Sequence, residues 1–328
     1  MIKIPSLVIN VTDKCNFSCR YCPPYGENLN KGQVEYDIQS LYYVIDIMHH
    51  KGGKILRFTG GEPLIERERL FKLLDYSYGY FERTIINTNG YYLNECLNDL
   101  QKYIGKIVIK ISLDSLDEKE FQHISNTCYP ISPIIESIDN AIQAGHNVEL
   151  NTVLTIQSIE SITKIINFCN NRKINLKLLS QANFYDKIEM VKNQNIDEVV
   201  TYLNSHIKEV NSERLITNLG ASMLKYHNGQ SQILLIDHRT KDSYTPNKTY
   251  FQSCQNQCSF FPCDSGAFSI SISTDGIITP CRGRKDLGDF IFGKSKLEVE
   301  KSVMRLLSFY SNCQEINTNQ LRRYEYEY

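Results

Sequence analysis

Apolar runs and polar gaps alternate along the first half of the chain with a regular beat. Six short stretches are dense in Val, Ile and Leu: Leu7–Asn10, Lys54–Phe58, Thr84–Asn87, Ile107–Leu113, Val148–Leu154 and Ile174–Leu179. None keeps a strict apolar–polar alternation, as expected of parallel strands buried on both faces. Amphipathic segments run between them. Leu41, Val44, Ile45 and Met48 fall at i, i+3, i+4 and i+7 and share one helix face. Leu93, Leu97, Leu100 and Ile104 predict a second stripe, and Ile159, Ile162 and Ile166 a third. Six β-then-α units call for right-handed crossovers and a parallel sheet. Six are too few for a closed eight-stranded barrel and suit an open one. The predicted class is α/β, a partial (β/α)6 TIM barrel whose ligand site lies at the carboxyl ends of the strands.

The pattern changes after about residue 190. A helix is predicted over Asp197–Val210, followed by a polar, Asn/Ser/Thr-rich stretch to about Thr249. Phe268–Ser273 alternates with period two, Thr274-Asp275-Gly276 forms a turn, and Ile277–Thr279 returns as the second strand of a hairpin. A last helix is predicted over Ser295–Ser308. The chain thus divides into a core over residues 1–200 and a small C-terminal domain with a β-hairpin over residues 201–328. The tail Tyr324–Tyr328 reads as a frayed terminus.

Composition narrows the classes. Hydrophobic residues make up 41% and charged residues 22% of 328, enough for a packed core, which excludes a disordered or fibrous chain. Lys plus Arg number 36 against 37 Asp plus Glu, so no global field holds the chain to nucleic acid or an anionic membrane. No apolar run approaches the roughly 18–20 residues of a membrane span, and the N-terminus lacks a signal-peptide core. The expectation is a cytoplasmic protein with no nucleic-acid or membrane partner. Eleven cysteines fit no short disulfide scaffold, and in a reducing compartment they suggest thiolate–metal chemistry.

Three of them follow the first strand, in Val11-Thr12-Asp13-Lys14-Cys15-Asn16-Phe17-Ser18-Cys19-Arg20-Tyr21-Cys22. Thiolates this close repel one another without a cation between them. A structural zinc wants four ligands, and no fourth Cys or His lies nearby. The ferredoxin run spaces its cysteines differently. Three thiolates on a four-iron cubane would leave one iron open to a substrate or cofactor.

This C-x3-C-x-aromatic-C spacing, with Tyr21 in the aromatic place, resembles the signature of the radical S-adenosylmethionine (radical SAM) superfamily. The resemblance continues at successive strand ends. Arg57-Phe58-Thr59-Gly60-Gly61-Glu62-Pro63-Leu64 looks like the Gly-Gly-Glu-Pro motif, and Asn87-Thr88-Asn89-Gly90, Ser112-Leu113-Asp114-Ser115 and Asn151 also match. Together they are similar to the subgroup containing the GTP 3′,8-cyclase of molybdenum-cofactor biosynthesis, over roughly residues 6–180. The resemblance implies that Cys15, Cys19 and Cys22 hold a [4Fe–4S] cluster whose fourth iron chelates SAM. It implies that the Gly60–Pro63 backbone (Gly60, Gly61, Glu62, Pro63) receives the SAM amino group, and that Tyr21 lies near the adenine. Thr88, Ser112 and Asn151 would bond its methionyl or ribose moieties. An electron from a donor such as flavodoxin or ferredoxin would cleave SAM to a 5′-deoxyadenosyl radical. The protein would orient, exclude water and tune the cluster.

Cys254, Cys258, Cys263 and Cys281 form a second group, with Gly276-x4-Cys281 closing the hairpin. Four thiolates can hold a second [4Fe–4S] cluster or a structural zinc. By resemblance, the hairpin is similar to the SPASM or twitch domains that carry an auxiliary [4Fe–4S] cluster. Cys96 and Cys169 fall on apolar helix stripes and read as core; Cys128 sits in a loop, and Cys313 is an extra candidate ligand. His49-His50 ends the first helix, where a cationic or capping role fits.

The expected function is a radical SAM enzyme acting on a small molecule; a maturase of a ribosomally made peptide is the alternative. No catalytic residue is singled out. The cyclases surround a triphosphate with basic residues. Of these Arg57 survives, but Val8 and Glu149 stand where an Arg and a Lys are expected, and a carboxylate repels phosphate. The chain also ends in Tyr328 rather than Gly-Gly, so GTP 3′,8-cyclase activity is a lesser expectation. A non-enzymatic zinc-binding module would use the same cysteines structurally and cleave no SAM.

Overall fold

The computed structural model describes residues 6–22, 34–180, 196–207, 214–216, 222–237, 269–280 and 285–311. Its first half is built from the six expected units. Strands β1 (Ser6–Thr12), β2 (Ile55–Gly60), β3 (Arg83–Thr88), β4 (Ile107–Ser112), β5 (Asn147–Leu154) and β6 (Asn175–Ser180) lie in sequence order. Each is parallel to the next. Along every strand one set of alternate side chains meets the helices. Leu7, Ile9 and Val11 of β1, Leu56 and Phe58 of β2, and Ile107, Ile109 and Ile111 of β4 all enter the main core. The other set faces the opposite side of the sheet, which curves around it.

Helix α1 (Ile38–His50) starts at an Asp37 N-cap and buries the whole predicted stripe, Leu41, Val44, Ile45 and Met48. At its end, His50 Nδ1 meets the Asp46 carbonyl at 2.6 Å, the expected capping role, while His49 reaches across to the Tyr80 carbonyl at 2.7 Å. Helix α2 (Arg67–Ser77) follows β2, and α3 (Leu93–Leu100) follows β3. The α3 stripe departs from the expectation at its last member. The chain tightens into a 3-10 turn over Gln101–Tyr103, which advances three residues per turn. That change of phase buries Tyr103 and leaves Ile104 exposed at 40%. Two helices, α4 (Glu118–Ser125) and α5 (Ser132–Gln143), precede β5, where the six-unit pattern called for one helix but no stripe was singled out. Helix α6 (Ile159–Arg172) buries Ile162 and Ile166 as expected, and Cys96 and Cys169 are core residues. Helix α7 (Ile196–His206) is shorter than predicted.

The second half adds to both margins of the same sheet. Beyond β6, the polar stretch contains β7 (Arg214–Ile216), β8 (Ser222–Asn228) and β9 (Ser231–Asp237), with β9 parallel to β6 and antiparallel to β8. These strands were not predicted. On the other side, β10 (Ser269–Ile272) and β11 (Ile277–Thr279) form the predicted hairpin. It does not stand apart, because β10 lies parallel to β1, Ser6 opposite Ser269. A short β12 (Asp289–Phe290) pairs with β11, and helix α8 (Lys296–Ser311) closes the described chain. Thr274 in the hairpin turn donates a hydrogen bond to Asp13 beside the first cysteines. Among the described residues no helix is long and apolar enough to cross a membrane.

Candidate functional site

The three N-terminal cysteines lie in the loop that leaves β1 at its carboxyl end, the end predicted to hold the site. The loop is pinned from within by Phe17, which is buried against Phe121, Tyr91 and Tyr129 with ring centroids 5.7–6.1 Å away. That burial turns the flanking cysteines outward. Cys15 and Cys22 are exposed, Cys19 half-buried, and the Cys22 amide closes a turn onto the Cys19 carbonyl at 2.9 Å. Cys15 Sγ accepts from the Phe17 amide at 3.4 Å and faces the Asn89 amide group at 3.9 Å. Burial pushes the Cys19 thiol well above its ordinary range, and charge on Cys22, Asp114 and Cys15 pushes the same way. Cys15 is raised too, again chiefly by burial. Thiols that suppress one another's ionisation become thiolates when a cation holds them, which is the chemistry of metal ligands. Among the described residues no three His, Cys, Asp or Glu side chains are drawn tightly enough to clasp an ion. The thiols are neighbours in one loop rather than a closed cage.

The glycine motif packs directly beneath this loop. The Gly61 amide donates to the Thr12 carbonyl at 2.6 Å and the Glu62 amide to the Lys14 carbonyl at 2.7 Å. A Cβ on Gly60, whose φ is +135°, would fall 2.2 Å from the Thr12 carbonyl oxygen. One on Gly61 would fall as close to that of Lys14. Only glycine allows this approach. Pro63 opens a 3-10 turn that Glu62 caps by accepting from the Leu64 amide at 2.9 Å.

Glu62 itself has a role that sequence reasoning missed. Fully buried, it accepts from Thr88 Oγ1 at 2.7 Å and from the Asn89 amide at 2.6 Å, so it joins the β2 end to the β3 end. Burial raises its carboxyl to about 7 against the pull of those donors. Thr88 is engaged within the protein on both sides of its hydroxyl. Its hydroxyl donates to Glu62 and accepts from the Gly90 amide at 3.0 Å. Ser112 and Asn151 do sit side by side in register on β4 and β5, and the Asn151 Oδ1 is buried without a hydrogen-bond partner. Tyr21 donates its hydroxyl to Asp114 Oδ2 at 2.7 Å. Asp114 also accepts from the Val153 amide at 2.7 Å, and burial raises it to about 6.

Below these groups, the inner face of the sheet is charged. Arg83 and Lys110 close on Glu149 at 2.6 and 2.8 Å. Burial works to raise the Glu149 carboxyl, but Lys110 and Arg83 outweigh it and hold it below its usual range. Burial and then the charges of Lys110 and Arg57 push Lys177 on β6 well below the ordinary lysine range. Lys177 stands next to Asn151 in register. The repulsion argued from Glu149 is therefore corrected: two neighbouring cations neutralise that carboxylate. The signal was present in the sequence as alternate positions, Lys110 two before Ser112 and Glu149 two before Asn151.

With this geometry in place, known proteins can be compared. The profile of the radical SAM superfamily matches residues 9–169, from within β1 to within α6. Residues 9–169 form a radical SAM domain. Radical SAM proteins use a [4Fe–4S] cluster and S-adenosylmethionine, and the cysteine loop, the glycine cradle and the unpartnered Asn151 oxygen suit those two groups. A GTP 3′,8-cyclase of Staphylococcus epidermidis is 32% identical over 185 residues, 54% of this chain and 54% of that protein. The match thus spans about half the length of that curated relative. A GTP 3′,8-cyclase of Helicobacter pylori is 25% identical over 287 residues, 86% of this chain and 81% of its own. Among solved structures, Streptococcus suis SuiB bound to S-adenosylmethionine superposes with a TM-score of 0.67 at 18% identity. It covers 90% of this chain and 65% of SuiB, and so shares the fold. The second cysteine group, Cys254, Cys258, Cys263 and Cys281, lies outside the described residues, as does Cys313.

Proposed function

We propose that this protein cleaves S-adenosylmethionine reductively and uses the resulting radical to abstract hydrogen from a small-molecule substrate. Cys15, Cys19 and Cys22 are the proposed ligands of the first cluster. The Gly60–Pro63 backbone, Thr88, Ser112, Asn151 and Tyr21 are the proposed contacts of SAM, and Thr88 also bonds Glu62. When bound and reduced, the cluster supplies the electron that splits SAM into methionine and a 5′-deoxyadenosyl radical. The chain's own residues orient and shield. Glu62 ties two strand ends together beneath the loop, and the close approach of Gly60 and Gly61 keeps side chains out of the cradle.

The observation that carries the small-molecule reading is the inner face. Arg57, Arg83, Lys110, Glu149 and Lys177 come from five adjacent strands and interact with one another directly below Ser112 and Asn151. A polar floor of that kind suits a compact polar molecule better than an extended chain. Cys254, Cys258, Cys263 and Cys281 are proposed to hold an auxiliary [4Fe–4S] cluster in the part over residues 201–328, whose strands extend the sheet of the core over 1–200. A flavodoxin or ferredoxin is the proposed electron donor, in a cytoplasmic setting.

The test is anaerobic purification, reconstitution with iron and sulfide, and addition of SAM and dithionite. Two clusters load about 8 irons per chain. Formation of 5′-deoxyadenosine by such protein, lost in Cys19→Ala, is the expected result. Protein loaded to that level that makes none, or a colourless protein that holds zinc instead, overturns the reading. Turnover of a precursor peptide, with no small molecule consumed, would move the substrate assignment to peptide maturation.

A further inference from the structure

The cysteine loop is held by more than Phe17. Helix α4 ends at Ser125, so the carbonyls of its last four residues have no partner inside the helix. That of Gln122 is taken by the turn at Asn126, whose φ is +46°. The other three are taken by the cysteine loop. The Ser18 amide donates to Ser125 at 3.1 Å, the Arg20 amide to Ile124 at 3.0 Å, and Arg20 Nε to His123 at 2.8 Å. Helix α4 is in turn rigidly joined to the end of β4. Asp117 caps it by accepting from the Glu120 amide at 2.9 Å, and Ser115 Oγ donates to Glu120 at 2.6 Å. The Tyr21 hydroxyl reaches the same unit at Asp114, whose other oxygen is fixed by the Val153 amide of β5.

We propose that Asp114 is the positioning residue of the cysteine loop: it latches Tyr21 in place and sets a negative charge beside Cys19. The latch and the charge are separable. Tyr21→Phe removes the tether and keeps the carboxylate. Asp114→Asn keeps an acceptor for Val153 and a partner for Tyr21, but removes the charge. A negative charge close to a cluster disfavours the extra electron of its reduced form, and the carbonyl end of α4 acts in the same direction. Asp114 therefore lowers the potential of whatever cluster Cys15, Cys19 and Cys22 hold. This second part rests on the proposed function, whereas the latch does not.

Two measurements on the full chain decide the matter. Amide hydrogen exchange before iron loading reads the latch alone. Tyr21→Phe is expected to speed exchange at Ser18 and Arg20 by about tenfold, as losing one hydrogen bond to a carboxylate allows, with the helical content unchanged. Asp114→Asn is expected to stay close to the parent. A redox titration of the iron-loaded protein followed by electron paramagnetic resonance reads the charge. Here Asp114→Asn is expected to shift the midpoint potential positive, and Tyr21→Phe is not. Equal exchange in Tyr21→Phe and the parent overturns the latch. An unmoved potential in Asp114→Asn overturns the charge. Should Asp114→Asn not fold, exchange in Tyr21→Phe still decides the positioning role. A chain that takes up no iron leaves the exchange result standing and refutes the function instead.

Discussion

Gly61 shows how little room the cradle leaves at the scale of one residue. Its backbone φ is ordinary, so a side chain there is excluded by the Lys14 carbonyl and not by conformation. Gly61→Ala must push the β1 loop away from the β2 end. It is expected to cost about 2 kcal/mol in a urea titration and to weaken SAM binding in calorimetry. His146 makes a different case. It is buried at the start of the β5 approach, and neither ring nitrogen has a hydrogen-bond partner. Burial lowers its pKa from 6.5, so the unfolded chain takes up a proton there before the folded one does. Stability from this group is present above about pH 6.5 and is lost as pH falls through the folded value. His146→Leu is expected to flatten that acid limb in melting temperatures recorded across pH; a limb that persists unchanged would place its cause elsewhere.

At the scale of elements, β4 and β5 are bound by a buried charge network as well as by their ladder. Glu149→Gln leaves Arg83 and Lys110 without their carboxylate and is expected to cost about 3 kcal/mol of folding stability in urea. The six parallel strands were legible because each is short and dense in Val, Ile, Leu or Phe on the side that faces the helices. The stripes of α1 and α6 were legible for the same reason. The β8–β9 hairpin was not, because its one apolar run, Ile233–Ile236, is short and set in a polar stretch. Its Gly229-Gln230 turn between Asn228 and Ser231, with Gly229 at φ +60°, was the available signal. Of the site, the cysteine spacing and glycine motif could be read directly. Asp114 and Glu62 could not be assigned their partners, since Tyr21 and Asn89 reach them from the ends of other strands, far along the chain.

At the scale of the molecule, contacts between the two ends of the chain complete the sheet. Asp37 caps α1 through the Gln39 and Ser40 amides and also accepts from the Gly293 amide at 2.8 Å. Asp37→Ala is expected to cost about 1–2 kcal/mol and to accelerate amide exchange around residues 289–293 more than in α6. Equal acceleration in both places would mean that the tie to Gly293 carries nothing. The pairing of β1 with β10 has the widest reach, since Ser6 finds its neighbour only at Ser269. A ribosome that has delivered β1 through β9 has still left one side of β1 unladdered, and Asp13 has not yet met Thr274. Contacts so distant in sequence form late and slowly. The nascent chain therefore leaves the outer margin of β1, next to the cysteine loop, open until the last strands are made.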